Sequence, residues 1–342
     1  MLVCVVGNYG GAETLTDGQS IKTLELYNSL VRAYGEKEIC RVNLYKKNKI
    51  ALVCELMIAL IRCRNIIVLV SKNGRKKLIP LLVSMNKIFK RKIFHSLIGS
   101  TTHQTLDENP KFIECFNGLA GNWSETQTEK ILLEQRGLTN VSVVKNFKNL
   151  DILNVQDLVY ATEAPFAFCT FSRVEEKKGI PNIVRAINEV NNRFGKTVCT
   201  LDIYGQVMEK YEDDFEKLKE EFGENIKYKG VVDFYKSVET LKNYYMLVFP
   251  TKYYTEGIPG TLLDAFSAGI PVLSAEWESC FDIMNEKVGI TYAFDDDEKL
   301  ISSLIYAIEN PDTINALKEN CLLEAKQYSS DEIVKKIGEY FE

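Results

Sequence analysis

Met246-Leu247-Val248-Phe249-Pro250 leads through Tyr254-Thr255-Glu256-Gly257-Ile258-Pro259-Gly260-Thr261-Leu262-Leu263-Asp264-Ala265-Phe266-Ser267-Ala268-Gly269 into Ile270-Pro271-Val272-Leu273-Ser274. Met246–Phe249 is a short, wholly apolar run, the signature of a strand buried on both faces. A glycine loop follows, then a helix from about Pro259 to Ala268, then a second buried strand at Pro271–Ser274. The same rhythm extends toward the N-terminus. Strands are expected at Phe166–Phe171, Val198–Tyr204 and Ile226–Tyr228, and helices at Pro181–Phe194, Tyr211–Phe222 and Ser237–Tyr244. An independent series opens the chain. It begins with a strand at Leu2–Val6, a glycine loop from Gly7 to Gly18 and a helix carrying Ile21, Leu24, Leu26, Leu30 and Val31. Further strands are expected at Ile66–Val70, Lys92–Leu97 and Val141–Val144. Short apolar strands alternating with helices imply an α/β protein of two doubly wound, Rossmann-like domains. Ligands then bind at the carboxyl ends of the strands, in a cleft between the domains. Asn149–Thr162 reads as the linker.

Composition agrees with two domains. The chain has 342 residues, 46% hydrophobic and 26% charged, ordinary for a globular protein and unlike a disordered, collagenous or disulfide-stapled one. Residues 1–150 hold 22 Lys and Arg against 12 Asp and Glu, whereas residues 151–342 hold 20 against 35. That polarity suggests two folding units with different partners. Nine scattered cysteines form no C-x-x-C pair, so a reducing cytosol and no structural zinc are expected. No signal peptide is read before the first strand, and the longest apolar run, Ile50–Ile61, holds Glu55 and is too short to span a bilayer. The expected location is the cytoplasm, with at most peripheral contact with the inner face of a membrane.

Several chemistries are excluded by pattern. Only His95 and His103 occur, so no multi-histidine metal site can form. There is no G-x-G-x-x-G, no G-x-x-x-x-G-K-[ST] and no G-x-S-x-G. Asp295-Asp296-Asp297 precedes Glu298-Lys299-Leu300 and reads as a helix cap rather than a metal ligand set. What remains is the loop entering the 259–268 helix. Pro259 suits the first helical position, and the amides from Gly260 to Leu263 then form an anion site suited to a phosphate. Glu256, just outside the helix, can only accept hydrogen bonds, and the donors found beside a phosphate are sugar hydroxyls. Asp264 leans back toward the helix start. Two carboxylates bracketing a phosphate-binding helix start suit a nucleotide sugar, one for the hexose and one for the ribose.

Glu256 to Asp264 resembles the E-x7-E signature of the retaining family 4 glycosyltransferases, which have the GT-B fold. The wording E-G-I-P-G-T-L-L-D-A-F-S-A-G-I-P-V is similar to the capsule and exopolysaccharide branch, with Asp264 in place of the second Glu. Phe168-Cys169-Thr170-Phe171-Ser172-Arg173-Val174-Glu175-Glu176-Lys177-Lys178-Gly179 resembles the family's strand–S-R–x4–K-G segment. The resemblance implies that Arg173 and Lys178 hold the diphosphate and stabilise it as it leaves, in place of a metal ion. Glu256, Arg173 and Lys178 are then the catalytic set. Gly257, Ile258, Gly260, Thr261, Leu262 and Asp264 bind the donor. Gly205, in Ile203-Tyr204-Gly205-Gln206, and Val231, after Tyr228-Lys229-Gly230, resemble strand-end loops that pass beneath the nucleoside. Gly18, in Asp17-Gly18-Gln19-Ser20, looks like the family's glycine loop of the first domain. Val144-Lys145-Asn146-Phe147 resembles the end of the first domain without its proline. The segment after Tyr328 looks like a helix crossing back to it. The implied domains are residues 1–155 with helix 328–342, on the acceptor side, and residues 156–327, on the donor side.

The acceptor side is less defined. His95 falls inside an expected strand and reads as a core histidine, with Gly99 at the strand's end. His103 falls in a polar loop, where it is either solvated or touches an acceptor. Lys72–Lys92 holds eight basic residues and no acid around an apolar middle, Leu78–Met85. It suits either an anionic bilayer or a lipid-diphosphate acceptor, or else a helix with a core middle and solvated ends. Nucleic acid fits an acidic chain poorly. The function expected is transfer of a hexose from a UDP- or GDP-sugar to a saccharide, lipid-linked in the main reading, during cell-surface polysaccharide synthesis, without metal or other cofactor. The alternatives are another GT-B enzyme, a sugar-nucleotide epimerase or inverting transferase, or a non-catalytic nucleotide-sugar-binding subunit.

Overall fold

The computed structural model describes residues 1–10 and 18–342. They divide into two compact units, residues 1–149 with 328–342, and residues 150–327. The first unit contains six parallel strands: β1 (Val3–Gly7), β2 (Ile39–Asn43), β3 (Asn65–Leu69), β4 (Lys92–Ser96), β5 (Gly121–Ser124) and β6 (Val141–Val143). Their order is β2-β1-β3-β4-β5-β6. Helices α1 (Gly18–Tyr34), α2 (Lys49–Arg62), α3 (Lys72–Phe89), α4 (Thr102–Glu108), α5 (Lys111–Asn117) and α6 (Gln127–Gln135) connect them. The central strands β1 and β3 are buried along their whole length, which suits the apolar runs Val3–Val6 and Ile66–Leu69.

The second unit repeats the plan with β7 (Phe166–Phe171), β8 (Cys199–Tyr204), β9 (Ile226–Gly230), β10 (Met246–Phe249), β11 (Val272–Ala275) and β12 (Gly289–Tyr292). The order is β12-β11-β10-β7-β8-β9, again all parallel. Its helices are α7 (Ile180–Phe194), α8 (Glu212–Lys219), α9 (Ser237–Leu241), α10 (Gly260–Ser267), α11 (Asp297–Glu309), α12 (Pro311–Asn315) and α13 (Lys318–Ala325). The last helix, α14 (Ser330–Glu339), belongs to the first unit, where Ile333, Val334 and Ile337 join the core beneath β1 and β3. The two doubly wound sheets expected from the alternation are both present. Strands β2, β5 and β12 go beyond the expected set. The side chain of Asp296 accepts from Lys299 N at 2.9 Å and so caps α11, as its place before that helix implied.

One expectation needs correction and one open reading is narrowed. Residues 150–162 do not hang as a free linker. Leu153 N donates to Ser267 O at 2.8 Å, and buried Leu158 packs against Gly269, so the segment is built into the second unit. The basic run 72–92 is α3 with the turn into β4, and of the two readings open for it the structure favours the helix with a core middle, Leu78, Ile79 and Leu82 all being buried. Several of its cations are also committed within the unit. Lys72 and Lys76 share Glu108, Arg75 is buried against Thr101 and Thr102, and Arg91 donates to the last carbonyls of α2 at Leu60 and Ile61.

Candidate functional site

In the second sheet β10, β7, β8 and β9 are neighbours, so the loops leaving their carboxyl ends lie side by side. Main-chain bonds tie these loops into one surface. Ser172 N donates to Tyr204 O at 3.2 Å, Val174 N to Gln206 O at 2.8 Å, Gly205 N to Gly230 O at 2.9 Å, and Lys252 N to Lys177 O at 2.9 Å. Two glycines permit the close approach. Gly205 has φ +132°, and a Cβ there would sit 1.7 Å from Ser172 O. Gly179 has φ +68°, and its Cβ would sit 1.8 Å from Pro250 O. No other residue fits at either position.

Lys178 lies just before Gly179, and its placement follows from that contact. Its ammonium forms an ion pair with Glu256 Oε1 and lies 5.7 Å from the centre of the Phe249 ring. Thr251 Oγ1 donates to the same carboxylate oxygen at 3.1 Å and accepts from Tyr253 N at 3.1 Å. The Lys178 and Glu256 side chains are only 14% and 13% exposed, so the pair sits at the rim of the buried core. Two residues 78 positions apart in sequence are thus brought into contact. Arg173 is placed otherwise. Its side chain is 40% exposed, with Nη2 3.3 Å from Glu175 Oε1.

Glu256 leads through Gly257 and Ile258, both buried, to Pro259 and the start of α10. Pro259 is not the first helical residue. At φ −68° and ψ 127° it is the N-cap, one residue outside, and it makes no side-chain cap. Leu262 N donates to Pro259 O at 3.1 Å, while the first amides, at Gly260 and Thr261, precede the helical ladder. The Thr261 hydroxyl oxygen is buried with no hydrogen-bond partner among the described residues. Leu262 is buried in the core, and Asp264, on the second turn, is 1% exposed. Val231, in contrast, follows β9 as an exposed apolar residue, 66% accessible. Thr251 and Phe249 were not singled out from the sequence. Their position at the end of the strand before Glu256 was the available signal.

The first unit holds its own polar cluster at the carboxyl end of β4. Gly18 opens α1, and the residues just before it, 11–17 and so Asp17, lie outside those described. Lys22 of α1 forms a buried ion pair with Glu125 and donates to Leu97 O at 2.8 Å. Gly99, at φ +63°, turns the chain toward α4. His103 is not in a polar loop but on α4, buried, with Nδ1 2.7 Å from Glu129 Oε2. Glu129 also accepts from Ser100 Oγ at 2.8 Å and Thr102 N at 3.0 Å. His95 is fully buried in β4, and burial together with the nearby Arg75 and Lys22 charges lowers its pKa to about 3.

Comparison with known proteins adds to this geometry. Residues 159–322 match the family described as glycosyl transferases group 1. No curated protein matches the chain. Among solved structures, Anabaena HepE in complex with UDP and glucose is similar at a TM-score of 0.75 and 13% identity, over 99% of this chain and 98% of that one. Sucrose-phosphate synthase from Thermosynechococcus elongatus is similar at 0.75 and 14%, over 99% and 98%. The lipopolysaccharide outer core galactosyltransferase WaaB is similar at 0.71 and 15%, over 99% of each chain. At such identities the likeness is one of fold. The strand-end loops of the second unit therefore lie within the residues, 159–322, that match glycosyl transferases group 1, in a chain whose fold is GT-B.

Proposed function

We propose that the protein is a retaining, metal-independent hexosyltransferase that moves a sugar from a nucleotide diphosphate donor to a saccharide acceptor. The observation that carries this reading is the Lys178–Glu256 pair. It places one ammonium and one carboxylate four residues before the uncapped start of α10, on strand-end loops of the matched domain. A diphosphate seated on the amides of Gly260 and Thr261 draws on the helix dipole and competes with Glu256 for the Lys178 ammonium. Both bonds to Glu256 fall on Oε1, which leaves Oε2 to accept from a hydroxyl of the transferred hexose. Arg173, 40% exposed and paired with Glu175 among the described residues, swings in to share the charge of the leaving diphosphate. Fixed cations favour the transition state because that charge grows as the glycosyl bond breaks. In a front-face reaction the leaving phosphate oxygen takes the acceptor's proton, so neither His95 nor His103 is needed as a base.

Val231 and the main chain around Gly205 would lie against the base, and the ribose would reach Asp264 once the first turn of α10 uncovers it. The structural neighbour with UDP and glucose supports a UDP-sugar over a GDP-sugar. The finer assignment is a lipid-linked acceptor, in capsule or exopolysaccharide assembly, with Gly18, Gly99 and His103 on the acceptor side. It rests on the sequence resemblance.

Glu256→Gln tests the reading. The variant should still fold, at some cost in stability from the unpaired Lys178 ammonium, and lose at least about 100-fold in transfer from UDP-sugar. Unchanged transfer would overturn it. Donor bound with neither transfer nor hydrolysis by the wild type would identify a binding subunit instead. The anomeric configuration of the product, and activity in EDTA, check retention and metal independence.

A further inference from the structure

We infer that helix α2 docks the protein on an anionic lipid surface. A helix that is apolar on one face buries that face, whereas a helix apolar all round needs a second apolar environment. Helix α2, KIALVCELMIALIR, is of the second kind. Leu56, Ala59 and Leu60 enter the first unit's core. Ile50, Ala51, Cys54, Met57, Ile58 and Ile61 form a separate stripe along the helix at three- and four-residue spacing, and all are exposed. Ile50 is 77% accessible, Ile58 51% and Ile61 56%, and no charged residue interrupts the stripe. Helix α3 packs beside α2 and carries Ile88, which is 80% accessible, in its last turn.

The surroundings of this stripe are cationic. Between Glu38 and Asp107 the only acidic residue is Glu55, which pairs with Lys47, against 14 Lys and Arg. Lys46 and Lys49 flank the start of α2, Arg62 and Arg64 flank its end, and exposed Lys87 and Lys90 flank Ile88. An apolar stripe framed by cations matches the boundary between acyl chains and anionic headgroups. A second copy of the chain fits poorly, because a two-fold contact through α2 would set these cations against their own kind. No described helix is long and apolar enough to cross a membrane, so the contact lies in the plane of the surface. This docking face is α2 with the tip of α3, not the apolar middle of the 72–92 run.

The experiment is co-sedimentation of the full chain with phosphatidylcholine vesicles, with or without about a third of phosphatidylglycerol. Binding to the anionic vesicles alone is expected, weakening at least about tenfold in 0.5 M salt. Ile58→Asp with Ile61→Asp should weaken it by a similar factor with an unchanged melting temperature, since both side chains are already exposed. Lys87→Glu with Lys90→Glu gives an independent variant with the same expectation. Failure of the wild type to bind anionic vesicles overturns the proposal. Equal binding by both double variants does so too. A wild-type dimer that Ile58→Asp with Ile61→Asp dissolves, without vesicle binding, assigns the stripe to a second copy and likewise overturns it. Glu256→Gln should bind vesicles as the wild type does, which separates this inference from the transferase reading.

Discussion

At the Lys178–Glu256 contact, stability and chemistry can be told apart. Each partner is about six-sevenths buried, so removing one leaves the other poorly solvated beside Thr251. Lys178→Met should therefore lower stability by about 1–3 kcal/mol and transfer by at least about 100-fold. Combining it with Glu256→Gln removes both charges and should restore part of the stability while leaving transfer lost. A melting series on the four proteins measures this coupling. His95 predicts a pH effect. Its folded pKa of about 3 lies below the value near 6.5 of an unfolded histidine, so the unfolded chain binds the extra proton first. The contribution of neutral His95 is complete above about pH 6.5 and drains away as pH falls toward 3, at up to about 1.4 kcal/mol per pH unit. His95→Gln should flatten that part of a denaturation-against-pH profile. An identical slope would show that His95 titrates normally.

Among the elements, the sharpest constraint is the turn between β7 and α7. Gly179 combines a left-handed φ with contact against Pro250 O, so Gly179→Ala must open the loop pairing that also carries Lys177 O to Lys252 N. The expected cost is about 2–4 kcal/mol, read as a fall of about 5–10 °C in the second unit's melting temperature, with donor affinity falling too because Lys178 moves. Asp296→Ala, by comparison, removes one cap bond at an exposed helix start. It should cost about 1 kcal/mol and leave donor binding unchanged.

In the molecule as a whole, the division into units sets which parts unfold together. Residues 328–342 are remote in sequence from residues 1–149 but share their core. Tyr328 is buried with the Lys145 ammonium 4.6 Å from its ring centre, and Ile333, Val334 and Ile337 pack with Val3, Val5 and Ile67. Deleting residues 328–342 should lower the first unit's transition by more than about 10 °C, or abolish it, with the second unit's transition in place. Differential scanning calorimetry distinguishes this from a single transition that shifts as one.

Local chemistry determined a good deal by itself. The apolar runs Phe166–Phe171 and Met246–Phe249 form the strands read from them, because strands buried on both faces must be apolar throughout. Asp296 caps its helix because a carboxylate beside free amides needs no distant partner. The loop order that carries Glu256 toward α10 was equally legible. Two of the four edge strands were not: β2 and β12 each have one neighbouring strand among the described residues, and ICRVN and GITY carry mixed patterns accordingly. Strand β5, GNWS, escaped for another reason. Its burial comes from flanking strands, while Gly, Asn and Ser have little strand preference of their own. Tertiary packing alone decided three further points: that Lys178 meets Glu256, that His103 is buried against Glu129, and that the second apolar face of α2 is left uncovered. Each depends on which surfaces meet across tens of residues, and a periodicity shows that a face is apolar without showing what covers it.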